Sequence, residues 1–149
     1  MADIIDIGLV PAAVRRGVTF SEAAETLTAF PVSAVAVLDE REDRVVGVFD
    51  GEDLLRGLFP RYLGELRHTA FARDDPALLE RCAERAASEP VEAYMHAPVT
   101  VEHDSSATHV AEVFLHCELD ALPVVRDGLF VGMLGRSEFC RAMLEAASR

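Results

Sequence analysis

The chain has 149 residues, half of them hydrophobic, and a formal net charge of −12. That length holds one compact domain, or two half-domains that share a core. The excess of Asp and Glu excludes a nucleic-acid surface and an anionic membrane surface, both of which need clustered Lys and Arg. No apolar run reaches the roughly 18 residues of a membrane span. The start, Met1-Ala-Asp-Ile-Ile-Asp6, lacks the basic and apolar stretches of a signal peptide. Cys82, Cys117 and Cys140 are scattered without a C-x-x-C pair. They read as reduced and cytoplasmic, with two of them on buried helix faces.

In chain order, copy one spans about residues 8–58 and opens with a strand. Thr19-Phe-Ser-Glu22 is a capping box, in which the Thr19 hydroxyl accepts from the Glu22 backbone N–H. The helix it opens buries Phe20, Ala23, Ala24 and Leu27 at helical spacing and ends at Pro31. Residues 33–38 are almost wholly apolar and predict a strand buried on both faces. The polar run 39–44 is a hairpin turn, and residues 44–49 are its return strand. Asp50 is the N-cap of a helix over residues 51–58. Residues 59–90 predict a helical connector with one helix over 61–68. A second runs over 77–88, with Asp75-Pro76 as its start and Leu78, Leu79, Cys82 and Ala86 on one face. Beyond it, the spacing predicts a strand near 99–101 and a helix over 107–115 capped by Ser105 or Ser106. A strand over 122–125 follows, then a tight turn at Asp127-Gly128, a strand over 130–134, and a last helix from Arg136 to about Ala147 that Gly135 leads into.

The second half repeats the first. Val10-Pro-Ala-Ala-Val14 returns as Ala97-Pro-Val-Thr-Val101, 87 residues later. In that register Ala24-Glu25 falls on Ala111-Glu112, Ala34 on Ala121 and Val37 on Val124. A two-residue slip in the polar run 39–44 then brings Val46-Gly47 onto Val131-Gly132 and Arg56 onto Arg141. Two copies too small to stand alone fold as one body, and clefts at their junction are natural ligand sites. The fold class is therefore α/β (α+β): two β-α-β-β-α repeats packed with pseudo-twofold symmetry, plus a helical connector. The boundaries are 1–58, 59–90 and 91–149.

Each copy holds an apolar strand, then a Gly-apolar-apolar segment opening a helix with an acidic residue. Copy two has Leu122-Pro-Val-Val-Arg126 and Gly132-Met-Leu-Gly-Arg-Ser-Glu-Phe139. Copy one has Val35-Ala-Val-Leu-Asp39 and Gly47-Val-Phe-Asp-Gly-Glu-Asp-Leu54. The chain thus resembles a free-standing tandem pair of cystathionine β-synthase (CBS) domains, over about two thirds of its length. That resemblance implies a regulatory module, not an enzyme. It implies binding of an adenosyl compound (AMP, ADP, ATP or S-adenosylmethionine) in clefts between the copies, a homodimer, and an unknown protein partner acted on in trans.

The resemblance also implies site residues. The acid of the helix start would accept from ribose hydroxyls, and a Ser or Thr three residues earlier would hold phosphate at free helix N–H groups. Copy one keeps the acid as Asp53 but has Asp50 at the hydroxyl position, where a carboxylate repels phosphate. Asp50 and Asp53 read equally as a helix cap with no ligand. Copy two has Gly135 at the hydroxyl position, Arg136 beside it, and Glu138 at the acid position. Thr100 falls where a base-pocket Thr stands, and Ala13 is its counterpart in copy one. Val35 and Leu122 open the apolar strands beside the clefts. Copy two is thus the better phosphate candidate and copy one the better ribose candidate.

His109, Glu112 and His116 share a helix face but lack further ligands for a metal. They read as a polar surface. His96 and His103 flank Thr100 and read as loop histidines or cleft lining. No P-loop or G-x-G-x-x-G is present. The alternative to ligand sensing is a dimerisation or protein-interaction module with degenerate nucleotide sites.

Overall fold

The computed structural model describes residues 7–59 and 76–148. The helix expected over 61–68, and Asp75, lie outside the described residues. Each copy forms a three-stranded sheet. Copy one contains β1 (Ala13–Arg15), α1 (Phe20–Ala29), β2 (Ala34–Leu38), β3 (Val45–Asp50) and α2 (Gly51–Leu58). The connector contributes α3 (Pro76–Ala87) and a 3₁₀ turn (Val91–Ala93). Copy two contains β4 (Val101–Glu102), α4 (Ala107–Cys117), β5 (Ala121–Arg126), β6 (Leu129–Gly135) and α5 (Arg136–Ala147). The sheet orders are β1-β2-β3 and β4-β5-β6. The first pair of each sheet is parallel and the second antiparallel. A parallel neighbour needs a crossover, which α1 and α4 supply, whereas an antiparallel neighbour needs only a hairpin.

The strand expected near residues 99–101 starts later, at Val101. Pro98 has no N–H to give to a ladder, and pairing with β5 begins only at Val101 opposite Val124. The Thr19 cap forms, its hydroxyl accepting from Glu22 N at 3.2 Å, and Ser106 caps α4 in the same way. The α3 helix packs on α1 and α2, so the connector is part of the body. Of the cysteines only Cys82 is buried. Cys117 is the last residue of α4 and half-covered. Cys140 follows the buried Phe139 on α5, and a step of one residue turns a helix by about 100°, which carries its thiol to the exposed face.

The repetition reaches the backbone. A bulge leaves Val46 unpaired between Val37↔Gly47 and Leu38↔Val45. The same bulge leaves Val131 unpaired between Val124↔Gly132 and Val125↔Phe130. The two-residue slip is the difference in hairpin length. In copy two the turn closes at Asp127 (φ 52°) and Gly128 (φ 81°), both left-handed as a two-residue hairpin requires.

The two copies complete each other. The residue leading into each copy pairs with the last strand of the other. Val10 exchanges backbone bonds with Met133 of β6 (2.9 and 2.7 Å), and His96 does so with Val48 of β3 (3.0 and 3.1 Å). These crossings explain the repeated Val-Gly. A side chain at Gly47 would collide with the Met95 sulfur, and one at Gly132 would lie 2.7 Å from Leu9 Cβ. The core is shared accordingly. Met133 and Ala121 of copy two are buried among copy-one residues, and Leu9 packs on the copy-two cluster of Val101, Val110, Leu122 and Leu134. Phe20 fastens α1 to α2. Its ring covers Gly57, meets Phe49 edge-on at 5.7 Å and touches Tyr94 at 4.8 Å between centroids.

Candidate functional site

Two equivalent clefts lie between the copies, one at the start of α2 and one at the start of α5. Each is roofed by the helix–strand loop of the opposite copy. The α2 cleft is lined by Asp50, Gly51 and Glu52 against Glu118–Ala121, and encloses about 200 Å³. The α5 cleft is lined by Gly135–Glu138 against Pro31–Ser33, and encloses about 480 Å³. Asp120 touches both clefts.

At α2 the two aspartates form a reciprocal capping box. Asp53 N donates to Asp50 Oδ1 and Asp50 N donates to Asp53 Oδ2, both at 3.0 Å. Asp53 is 1% exposed and is the buried charged residue among those described. It is held by a residue from the other side of the junction: His96 Nδ1 stands 2.8 Å from Asp53 Oδ2. Arg56, one turn along α2, places its guanidinium 3.6 Å from Asp53 Oδ1. Burial pushes the Asp53 carboxyl up, but the bonds from His96 and Asp50 outweigh it, and the group is held below its usual range. Asp50 moves the other way, raised first by burial and further by the Asp53 carboxylate beside it. His96 is raised, chiefly by its bond to Asp53 and against the effect of burial.

The ligand atoms of Asp50, Asp53 and His96 lie within 4.8 Å of one another. They already bond one another and the helix start, and form a hydrogen-bonded triad. His109, Glu112 and His116 are exposed on α4, as a polar helix face requires.

The start of α5 is built differently. Gly135 occupies the cap position and no side chain caps the helix. A Cβ on Gly135 would run into the Glu138 carboxylate, which therefore folds over the helix start. The Arg136 N–H donates to Asp120 O at 2.8 Å, and its guanidinium pairs with Asp120 Oδ1 at 2.6 Å. Both side chains of that pair are more than half exposed. Such a pair contributes about 0–1 kcal/mol and yields readily to a stronger anion.

The structure thus brings Asp50 and Asp53 together in one place and Gly135, Arg136 and Glu138 in another. Thr100 is exposed just ahead of β4, and Ala13 is half-buried on β1 opposite Ala36. Val35 and Leu122 are both fully buried, opposite Phe49 and Leu134, and belong to the two hydrophobic clusters. Sequence reasoning missed the bond from His96 to Asp53 and the double role of Asp120. The repeat register carried a signal for the first, since it sets His96 beside the Val10 region, which a shared edge strand would bring to the opposite copy.

The repeat, the exchanged edges and the two clefts meet a matching family model: the CBS domain, over residues 7–59 and again over 91–145. The chain belongs to the CBS-domain family. Among curated proteins none matches it in sequence. Solved CBS structures share its fold. The CBS domain of a CBS-domain-containing membrane protein from Sphaerobacter thermophilus is 27% identical, with TM-score 0.72, over 95% of this chain and 87% of that one. A CBS-domain-containing protein from Kribbella flavida is 18% identical, with TM-score 0.74, over 96% and 98%. The CBS-pair protein CBSX2 from Arabidopsis thaliana is 23% identical, with TM-score 0.73, over 99% and 97%. CBSX2 has also been solved in complex with AMP, and that structure matches with TM-score 0.68. No helix among the described residues is long and apolar enough to cross a membrane.

Proposed function

We propose that this CBS pair is a regulatory module that binds an adenosyl compound between its copies and signals by a change in their relative angle. The observation that carries this reading is the α5 cleft. Its volume of about 480 Å³ lies in the range of small-molecule sites. It joins residues of both copies, and its helix start has no side-chain cap hydrogen bond and carries Arg136, a charge that favours phosphate once the Glu138 carboxylate turns from the start toward a ribose. Glu138 supplies an acceptor for ribose hydroxyls, and AMP, ADP or ATP fits this chemistry. The α2 cleft carries Asp50, Glu52, Glu118 and Asp120. It disfavours phosphate, so adenosine or S-adenosylmethionine suits it better. The AMP complex of CBSX2 supports an adenosyl ligand. The signal passes in trans to a protein partner, and we take the module to be a cytoplasmic homodimer. Leu115 and Leu144, 80% and 72% exposed on α4 and α5, suit such a contact.

One observation favours a second reading, an interaction module without ligand: Asp53, the ribose acid of copy one, is satisfied by its own protein. A thermal-shift panel with AMP, ADP, ATP, adenosine and S-adenosylmethionine decides between them. A ligand at a hundred times its Kd adds about 2.7 kcal/mol, a shift of several degrees. A saturable shift with AMP that Arg136→Ala removes supports the sensor. A flat panel on folded protein supports the interaction module.

A further inference from the structure

Ser33 and Asp120 are counterparts in the 87-residue register, and each stands one residue ahead of the middle strand of its sheet, β2 or β5. Both line both clefts. The junction therefore carries a serine on one side and a carboxylate on the other.

Asp120 makes two separate contacts with the start of α5. Its backbone carbonyl accepts from Arg136 N at 2.8 Å, next to the Ala121↔Gly135 pairing. Its carboxylate takes the Arg136 guanidinium at 2.6 Å. The first contact belongs to the fold, and any residue at position 120 can make it. The second belongs to the side chain. Arg136 is the only cation among the described residues that line the α5 cleft, so Asp120 holds the charge that the cleft offers to a phosphate. On its other side Asp120 meets the α2 cleft, where Asp50, Glu52 and Glu118 stand without a lining cation. The carboxylate is drawn to Arg136 and repelled from the α2 cleft.

We propose that Asp120 is a built-in competitor for the phosphate site of the α5 cleft: its carboxylate holds Arg136 in place of a ligand anion, and a nucleotide binds only by displacing it. The inference rests on the adenosyl reading above and adds to it what sets the affinity and the charge preference of that cleft. The displaced carboxylate finds no second cation in either lining and turns to water. It stays close enough to repel the bound anion, and the repulsion grows with the charge of the ligand. Both partners of the pair are more than half exposed, so the competitor lowers affinity without closing the cleft. An exposed pair of this kind is worth about two- to fivefold in binding. Adenosine has no phosphate and does not compete for Arg136.

Calorimetric titration of the whole protein with adenosine, AMP and ADP reads the competition. Two variants remove the carboxylate and keep the backbone contact. Asp120→Asn preserves the shape of the side chain, and Asp120→Ser copies the residue found at position 33. Both should bind AMP about two- to fivefold more tightly than the wild type. The gain should be larger for ADP and absent for adenosine. In an Arg136→Ala background Asp120→Asn should gain nothing, because no cation is left to compete for. Equal AMP affinity in the wild type and both variants overturns the competitor alone. So does a gain that is the same for adenosine as for AMP, or one that persists in the Arg136→Ala background. No binding of AMP or ADP by the wild type or either variant overturns the adenosyl reading of the α5 cleft, and the competitor with it.

Discussion

His96 Nδ1 meets Asp53 Oδ2 at 2.8 Å across the junction of the two copies, and the carboxylate it meets is 1% exposed. A carboxylate that deep is tolerated only when paired and hydrogen-bonded. The bond therefore stabilises the junction only within a band of pH, whatever the clefts bind.

The sign follows from the two partners. The His96 value is raised on folding, so its contribution is fully present below the ordinary histidine value of about 6.5 and fades as pH rises through the raised value. The Asp53 value is lowered, so its contribution is present above about 3.8 and fades as pH falls through the lowered value. Urea unfolding should therefore show the gap between wild type and His96→Ala at its widest near about pH 5, at roughly 1–3 kcal/mol. The gap should narrow above neutrality. A gap independent of pH would mean that His96 acts by packing alone.

The two repeated glycines should differ in cost when changed to alanine. At Gly132 the new methyl meets Leu9 Cβ, close to the backbone, at 2.7 Å. The crossing segment must shift, and overpacking of this kind costs about 1–3 kcal/mol. At Gly47 the obstacle is the Met95 side chain, which has rotamers to spare. Denaturant midpoints should fall clearly for Gly132→Ala and much less for Gly47→Ala.

Asp50→Ser tests the cap and the cleft together. Serine caps a helix about as well as aspartate, whereas alanine there costs about 1 kcal/mol. The serine variant should keep its stability and remove the carboxylate that repels phosphate from α2. AMP binding measured by calorimetry should gain a second, weaker site in Asp50→Ser that is absent from the wild type.

Arg136→Ala should separate stability from binding. Its partner Asp120 is 62% exposed, so the unliganded protein should lose no more than about 1 kcal/mol. The AMP-induced thermal shift should disappear. In the wild type that shift should shrink with added salt, as an exposed charge contact requires.

The architecture was legible because it rests on local signals. Thr19, Asp50 and the Ser105-Ser106 pair mark helix starts, Asp127-Gly128 marks a turn, and Ser33–Leu38 is too apolar to face water. The 87-residue register tied these signals into two copies. The site was less legible. Asp50 and Asp53 were visible as a pair because they sit three residues apart on one helix. His96, the partner of Asp53, is 43 residues away in sequence and reads there only as a loop histidine or cleft lining beside Thr100. Val-Gly was visible as an identity but not as a crossing, since the reason for a glycine is the side chain that passes over it. Two of the three cysteines read as buried, yet only Cys82 is, because Cys117 ends α4 and Cys140 turns away from the core face that Phe139 occupies.

The exchange of leading segments has a consequence for the order in which the protein is made. Copy one is complete in its own strands and helices by residue 58. Yet the segment that covers Gly47 and pairs with Val48 is Met95 and His96, which leave the ribosome well after α2. Until they do, β3 presents a bare edge of the kind that recruits foreign strands. Copy one therefore waits, exposed, for the first residues of its twin, and a chain interrupted at the connector should be a substrate for chaperones rather than a stable half-protein.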